Sequence, residues 1–123
     1  MLINLSNHPV EKWSEKQINE AKKNYGEIRD LPFPEINPDW DEETVENFSQ
    51  MYFEEIQAII ESAHNQNNAV HVMGELTFTF NIVYKLLSQN IVCIASTSKR
   101  NVTEKGNKKI TEFNFVRFRE YKK

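Results

Sequence analysis

Short apolar runs alternate with longer amphipathic stretches along this chain, and their spacing predicts a mixed α/β fold. The clearest unit lies between Ala69 and Arg100. Ala69–Met73 is an apolar run, Gly74-Glu75-Leu76-Thr77 is a polar corner, and a mainly apolar segment continues to Leu87. A second apolar run, Ile91–Ala95, ends in the polar exit Ser96-Thr97-Ser98-Lys99-Arg100. The middle segment fits two periods. Leu76, Phe78, Phe80 and Ile82 alternate with polar residues as in a strand, whereas Leu76, Phe80, Val83 and Leu87 share one face of a helix. A helix is expected, because the segment is longer than a typical strand and doubly buried parallel strands need a helical crossover. The unit therefore reads strand–helix–strand, which sets two parallel strands in one sheet.

Leu2–Leu5 is a first buried strand, closed by the loop Ser6-Asn7-His8-Pro9, where proline holds His8 extended. Ser14 and Gln17 form a capping-box pattern, and Ile18, Ala21 and Tyr25 follow at helical spacing. That helix runs from about Glu15 to Asn24 and stops at Gly26. Glu27–Leu31 reads as an edge strand, and the prolines of Leu31–Pro38 impose an extended connection. From Asp41 to His64, Val45, Phe48, Tyr52, Ile56, Ile59 and Ala63 make a second amphipathic helix. Beyond Ser98, a turn at Glu104–Asn107 leads to a run in which Phe113, Phe115 and either Val116 or Phe118 alternate. That predicts a hairpin with an antiparallel last strand. The order β-α-β-α-β-α-β-β over residues 1–123 is one domain. It is a small three-layer Rossmann-like sheet of order 2-1-3-4-5, mostly parallel.

Composition changes this picture little; charge changes it more. An apolar fraction of 39% and a charged fraction of 27% are those of a soluble globular protein. No apolar run approaches a membrane span, and the start carries no basic lead, so neither a transmembrane segment nor a signal peptide is expected. Cys93, the single cysteine, lies inside an apolar strand, which suits a buried inert thiol and a reducing, cytoplasmic setting. Residues 1–84 hold 5 basic and 15 acidic side chains, whereas residues 85–123 hold 10 basic and 3 acidic. Two explanations are open: an anionic partner for the basic end, or segments of opposite sign that face each other in the fold or across a dimer.

In sheet order 2-1-3-4-5, the loop after the first strand and the Gly74 corner empty into the switch point, where ligands collect in such sheets. Three polar corners are thus expected to meet: Ser6-Asn7-His8, Gly74-Glu75-Leu76-Thr77 and Ser96–Arg100. Gly74 would let backbone approach a ligand, and the amides opening the following helix would attract an anion, helped by Lys99 and a forked contact from Arg100. His8 could serve as acid or base, or its loop could merely cap a backbone group. Glu75 could be a general base or the cap of its own helix. Ser96, Thr97 and Ser98 offer hydroxyls to a ligand, though strand ends often carry them. His71 fits a satisfied core histidine, His64 a helix end, and Trp13 either a base-stacking ring or an anchor for the first helix. With only three glycines there is neither a dinucleotide fingerprint nor a phosphate loop. No residue cluster has metal-ligand spacing, so no metal and no cofactor is expected.

The opening Leu5-Ser6-Asn7-His8-Pro9, the helix led by Ser14-Glu15-Lys16-Gln17 and the segment Glu27-Ile28-Arg29-Asp30-Leu31-Pro32 resemble small CRISPR-associated Rossmann-like (CARF-related) proteins of type III systems. The corner Gly74-Glu75-Leu76-Thr77 is similar to the nucleotide-sensing corner of that superfamily. The resemblance spans most of residues 1–100; the basic hairpin has no counterpart. It implies binding of a cyclic oligoadenylate second messenger and its metal-independent cleavage by a ring nuclease, as a homodimer. By position, Asn7 and His8 would lie by the scissile phosphate, Gly74, Glu75 and Thr77 would hold phosphate or ribose, and Lys99 and Arg100 would add positive charge. Each ribose 2′-hydroxyl would attack its own phosphate, with His8 protonating the leaving oxygen. The alternatives are a non-catalytic sensor or sponge and a single-stranded nucleic-acid binder using the basic, Phe-rich hairpin. The last is disfavoured, since alternation sends several of those aromatics into the core.

Overall fold

The computed structural model of the chain describes residues 1–64 and 67–123. Its elements are β1 (Leu2–Ser6), a 3-10 turn (Val10–Lys12), α1 (Glu15–Tyr25), β2 (Ile28–Asp30), α2 (Glu42–Ala63), β3 (Ala69–Met73), α3 (Leu76–Ser88), β4 (Val92–Lys105) and β5 (Lys108–Glu120). The strands form one sheet of order β2-β1-β3-β4-β5. Its first four strands are parallel and β5 runs antiparallel to β4, which is the topology the sequence predicts. The helix signals read from sequence are in place for α1: Ser14 accepts the Gln17 amide at 3.2 Å and Gly26 ends the helix at φ 81°. Asp41, expected as the start of the second helix, is its cap and accepts the Thr44 amide at 2.9 Å.

Alternation along the buried strands splits the core into two layers. Ile3, Leu5, Val70, Val72 and Cys93 face α2 and α3, meeting Val45, Ile56, Phe78, Ile82 and Leu86. Leu2, Ala69 and Ile94 face the other way, onto Trp13 and Ala21. The extended proline segment also packs inward, with Leu31, Phe33 and Ile36 against the first layer.

Two local expectations are corrected. The segment after Gly74 is a helix, but its buried face is Phe78, Ile82, Val83 and Leu86, while Leu76 and Phe80 are 82% and 70% exposed. Phe78 decides this, because Phe33, Phe48 and Tyr52 all pack around its ring. Ser96–Arg100, expected as a polar exit, is instead strand. Only Val92, Cys93 and Ile94 of β4 pair with β3; the rest of β4 pairs with β5 alone. The two strands leave the sheet as an arm that turns at Gly106, whose φ of 62° suits glycine. Polar side chains on both faces of the arm erase the alternation by which a strand is recognised. Between Thr97↔Arg117 and Ser98↔Phe115 the register shifts, which leaves Val116 without a partner. This bulge turns Phe115 and Phe118 to one face despite their odd spacing, with ring centroids 4.9 Å apart.

Gly74 is required for packing. A Cβ there would run into the ring of Phe33, which itself meets Phe78 edge-on at 5.2 Å. Gly74→Ala should therefore lose roughly 1–3 kcal/mol of unfolding free energy in chemical denaturation, as overpacking does. Combined with Phe33→Leu, it should lose less than the two single changes together, because they share one space.

Candidate functional site

The site grows from one buried amide. Asn4 is 1% exposed and lies opposite His71 in the β1–β3 register. Its Nδ2 donates to Asp30 Oδ1 at 2.8 Å and to the His8 carbonyl at 2.9 Å. Its Oδ1 accepts from the Ser6 hydroxyl at 2.7 Å and lies 2.9 Å from His71 Nδ1. The His8 carbonyl also accepts from Trp13 Nε1 at 2.8 Å. The loop after β1 is thus pinned by its backbone, which leaves the exposed Asn7 and His8 side chains to solvent.

A hollow of about 350 Å³ opens where β1 and β3 end, beside the part of β4 that continues past β3. Ser6, Asn7, His8, Gly74, Ser96 and Ser98 line it, so all three corners expected from sequence contribute. The hollow also takes in Gln17, His71, Met73, Phe113 and Phe115, which sequence reading did not assign to it. His71 and Met73 could have been placed there by parity alone, since residues 69, 71 and 73 of one strand share a face. The two phenylalanines could not, because the extent of the arm that carries them was hidden.

The remaining expected residues lie elsewhere. Glu75 caps α3: its carboxylate accepts the Thr77 amide at 3.1 Å, the Phe78 amide at 2.7 Å and the Thr77 hydroxyl at 2.7 Å. Of its two expected roles the cap is the one seen, and Thr77 is occupied with it. Slight burial pushes the Glu75 carboxyl pKa up, but these hydrogen bonds outweigh that and hold it below its ordinary value. Thr97 donates to the Arg117 carbonyl at 3.1 Å on the sheet's other face. Lys99 shares that face with its partner Asn114, by alternation. Arg100 pairs with Phe113 on the hollow's side, two rungs farther along the arm than Ser98.

His71 forms the floor. Its ring is 1% exposed, meets Trp13 edge-on at 5.2 Å and Phe118 at 5.8 Å, and places Nε2 3.2 Å from Ser96 Oγ. Burial, with His8 nearby, pulls its pKa from 6.5 to about 4, so the imidazole is neutral at physiological pH. Trp13 is 5% exposed, which makes it the anchor rather than a base-stacking ring. Burial likewise pushes the Cys93 thiol up to about 12, so it stays protonated and unreactive. Among the described residues, no group of three or more His, Cys, Asp or Glu side chains could hold a metal ion.

The lowered His71 pKa has a signed consequence for stability. Between pH 6.5 and about 4 the unfolded chain binds a proton at this position that the folded chain excludes. Stability present in full above pH 6.5 is therefore lost as pH falls toward 4, by up to roughly 3 kcal/mol. Urea denaturation across that range should show the loss in wild-type protein, and a smaller loss in His71→Gln. Separately, Glu75→Ala should cost about 0.5–2 kcal/mol as a lost cap, whereas Glu75→Gln, which keeps an acceptor, should cost less.

Among the described residues, no helix is long and apolar enough to cross a membrane. No curated protein and no solved structure matches the chain. Residues 1–119 do match a family model, described as the uncharacterized protein MJ1673 family, and the chain belongs to that family.

Proposed function

We propose that the hollow binds a cyclic oligoadenylate and that the chain cleaves it as a ring nuclease. The observation that carries this reading is the meeting, on one hollow, of the ends of β1 and β3 with the segment of β4 that runs past β3. Ser6, Asn7 and His8, then Gly74, then Ser96 and Ser98 arrive there from β1, β3 and β4. That is where ligands bind in sheets of this order. Hydroxyls and amides suit a sugar–phosphate backbone, and the exposed ring of Phe113 offers a stacking surface for a base. Arg100, beside Phe113, is placed for a forked contact with phosphate.

In the proposed reaction a ribose 2′-hydroxyl attacks the adjacent phosphorus, its proton passing to water, and the bond to the 5′ oxygen breaks. A 2′,3′-cyclic phosphate forms, the departing oxygen takes a proton from His8, and His8 regains one from solvent. Asn7 and Arg100 hold the phosphate while its charge grows. Glu75 and Thr77 have no part in the step, being engaged with α3. A hollow of about 350 Å³ has room for one nucleotide rather than a ring, so the same proposal pairs two chains around one messenger. A cytoplasmic setting belongs to it as well, supported by the single, buried cysteine.

Incubating the purified protein with cyclic tetra-adenylate in the presence of EDTA and separating the products tests this reading. Linear products ending in a cyclic phosphate are expected. Intact ring with measurable binding would leave a sensor or sponge; no binding would remove both. His8→Ala should slow turnover more than it weakens binding, and Arg100→Ala should chiefly weaken binding. If binding instead extends to long single strands and falls steeply with salt, the basic arm is acting as a nucleic-acid surface.

A further inference from the structure

The chain of hydrogen bonds behind the hollow fixes one proton in each link, and its direction can be followed from the Asp30 end. Asp30 and the His8 carbonyl can only accept, so both protons of the Asn4 amide point to them. The Asn4 oxygen therefore faces His71 Nδ1, 2.9 Å away, and that nitrogen must carry the ring proton. The other ring nitrogen, Nε2, then presents a bare lone pair to Ser96 Oγ at 3.2 Å. Ser96 has one proton and two acceptors in reach, His71 Nε2 and the Met73 sulfur at 3.1 Å. Imidazole nitrogen is much the stronger acceptor, and the sulfur already receives the Ser96 amide at 3.3 Å. The hydroxyl proton goes inward.

From this we infer that Ser96 is a specificity-determining acceptor, held by His71 as positioning residue, which selects a ligand that donates a hydroxyl proton over its deoxy counterpart. A serine on a pocket wall ordinarily rotates to donate or accept as the ligand requires. Here the relay from Asp30 through Asn4 and His71 removes that freedom, so only the oxygen lone pairs face the hollow. The groups around the His71 ring agree with a fixed tautomer. Asn4 comes from β1 and Ser96 from β4, and the rings of Trp13 and Phe118 cover its sides. Asp30 acts on it only through the amide, and His8 lies nearby in the loop. A neutral ring keeps Nε2 as an acceptor. With the nucleotide reading above, on which the choice of ligand rests, the donor is a ribose 2′-hydroxyl. Ser96 then orients the group that attacks.

The test compares binding of cyclic tetra-adenylate and its 2′-deoxy ring, in the His8→Ala protein, where turnover is slowed, and on a timescale short of cleavage. The ribose ring should bind about a hundredfold more tightly, about tenfold for each of the two Ser96 contacts that a pair of chains makes. Adding Ser96→Ala should bring the two affinities within about twofold of each other, and Ser96→Thr, which keeps the hydroxyl on a strand, should restore the difference. Equal binding of both rings before Ser96 is changed, or an unchanged ratio in Ser96→Ala, overturns the assignment while leaving the nucleotide reading intact. Failure of both rings to bind overturns the nucleotide reading and this choice of donor together. Nitrogen-15 spectra of ring-labelled histidine supply a ligand-free arm. His71 should carry its proton on Nδ1 throughout the neutral range, and a proton on Nε2 would refute the relay.

Discussion

The four hydrogen bonds of the Asn4 side chain are the constraint on which the rest of the site depends. An amide buried in a sheet must satisfy two donors and an acceptor oxygen, and leaving any of them bare costs about 1–3 kcal/mol. Asn4 does so by reaching β2 at Asp30, its own strand at Ser6, the following loop at the His8 carbonyl, and β3 at His71. Through His71 the same network reaches β4 at Ser96. Four neighbouring strands are thus joined by side chains at the end where the ladder hydrogen bonds run out. The polar corners are held in place by the residue that looks least like a functional one.

The same network explains why a buried histidine is tolerated in a doubly covered strand. His71 is uncharged, both ring nitrogens are partnered, and two aromatic edges fill the space beside it. Its lowered pKa is the consequence of that burial. The floor of the hollow is therefore rigid and neutral, while its rim, with Asn7 and His8 on one side and the arm on the other, is exposed and polar. Rigid floors position ligands; open rims admit them.

The arm accounts for the uneven charge of the chain. Lys99, Arg100, Lys105, Lys108, Lys109, Arg117 and Arg119 all lie on the two strands that leave the sheet. The acidic residues of α2 lie on another element, and the ion pairs seen among the described residues, Lys109–Glu104 and Lys122–Glu120, do not join the two. Both pairs are solvent-exposed and contribute little. Among the described residues, no ion pair joins the basic arm to the acidic face of α2. Of the arm's basic side chains, Arg100 lies on the hollow's side, opposite Phe113.

Local rules act over a few residues, and what they govern was legible in the chain. Strand and helix order, the cap at Ser14 and the stop at Gly26, the helix after Gly74 and the sheet order 2-1-3-4-5 follow from periodicity, turn residues and crossover handedness. Convergence of the Ser6-Asn7-His8 loop, Gly74 and the Ser96–Ser98 segment on the switch point follows from that order. Contacts between residues far apart in sequence decided the rest. Whether Gly74 serves a ligand or a neighbour depends on where Phe33, some forty residues earlier, lays its ring. Which face of α3 is buried depends on the aromatics that gather on Phe78. Phe115 and Phe118 share a face only because a bulge drops Val116 from the register. The role of His71 turned on the residue opposite it in another strand, and no pattern along one strand reports what lies across the ladder.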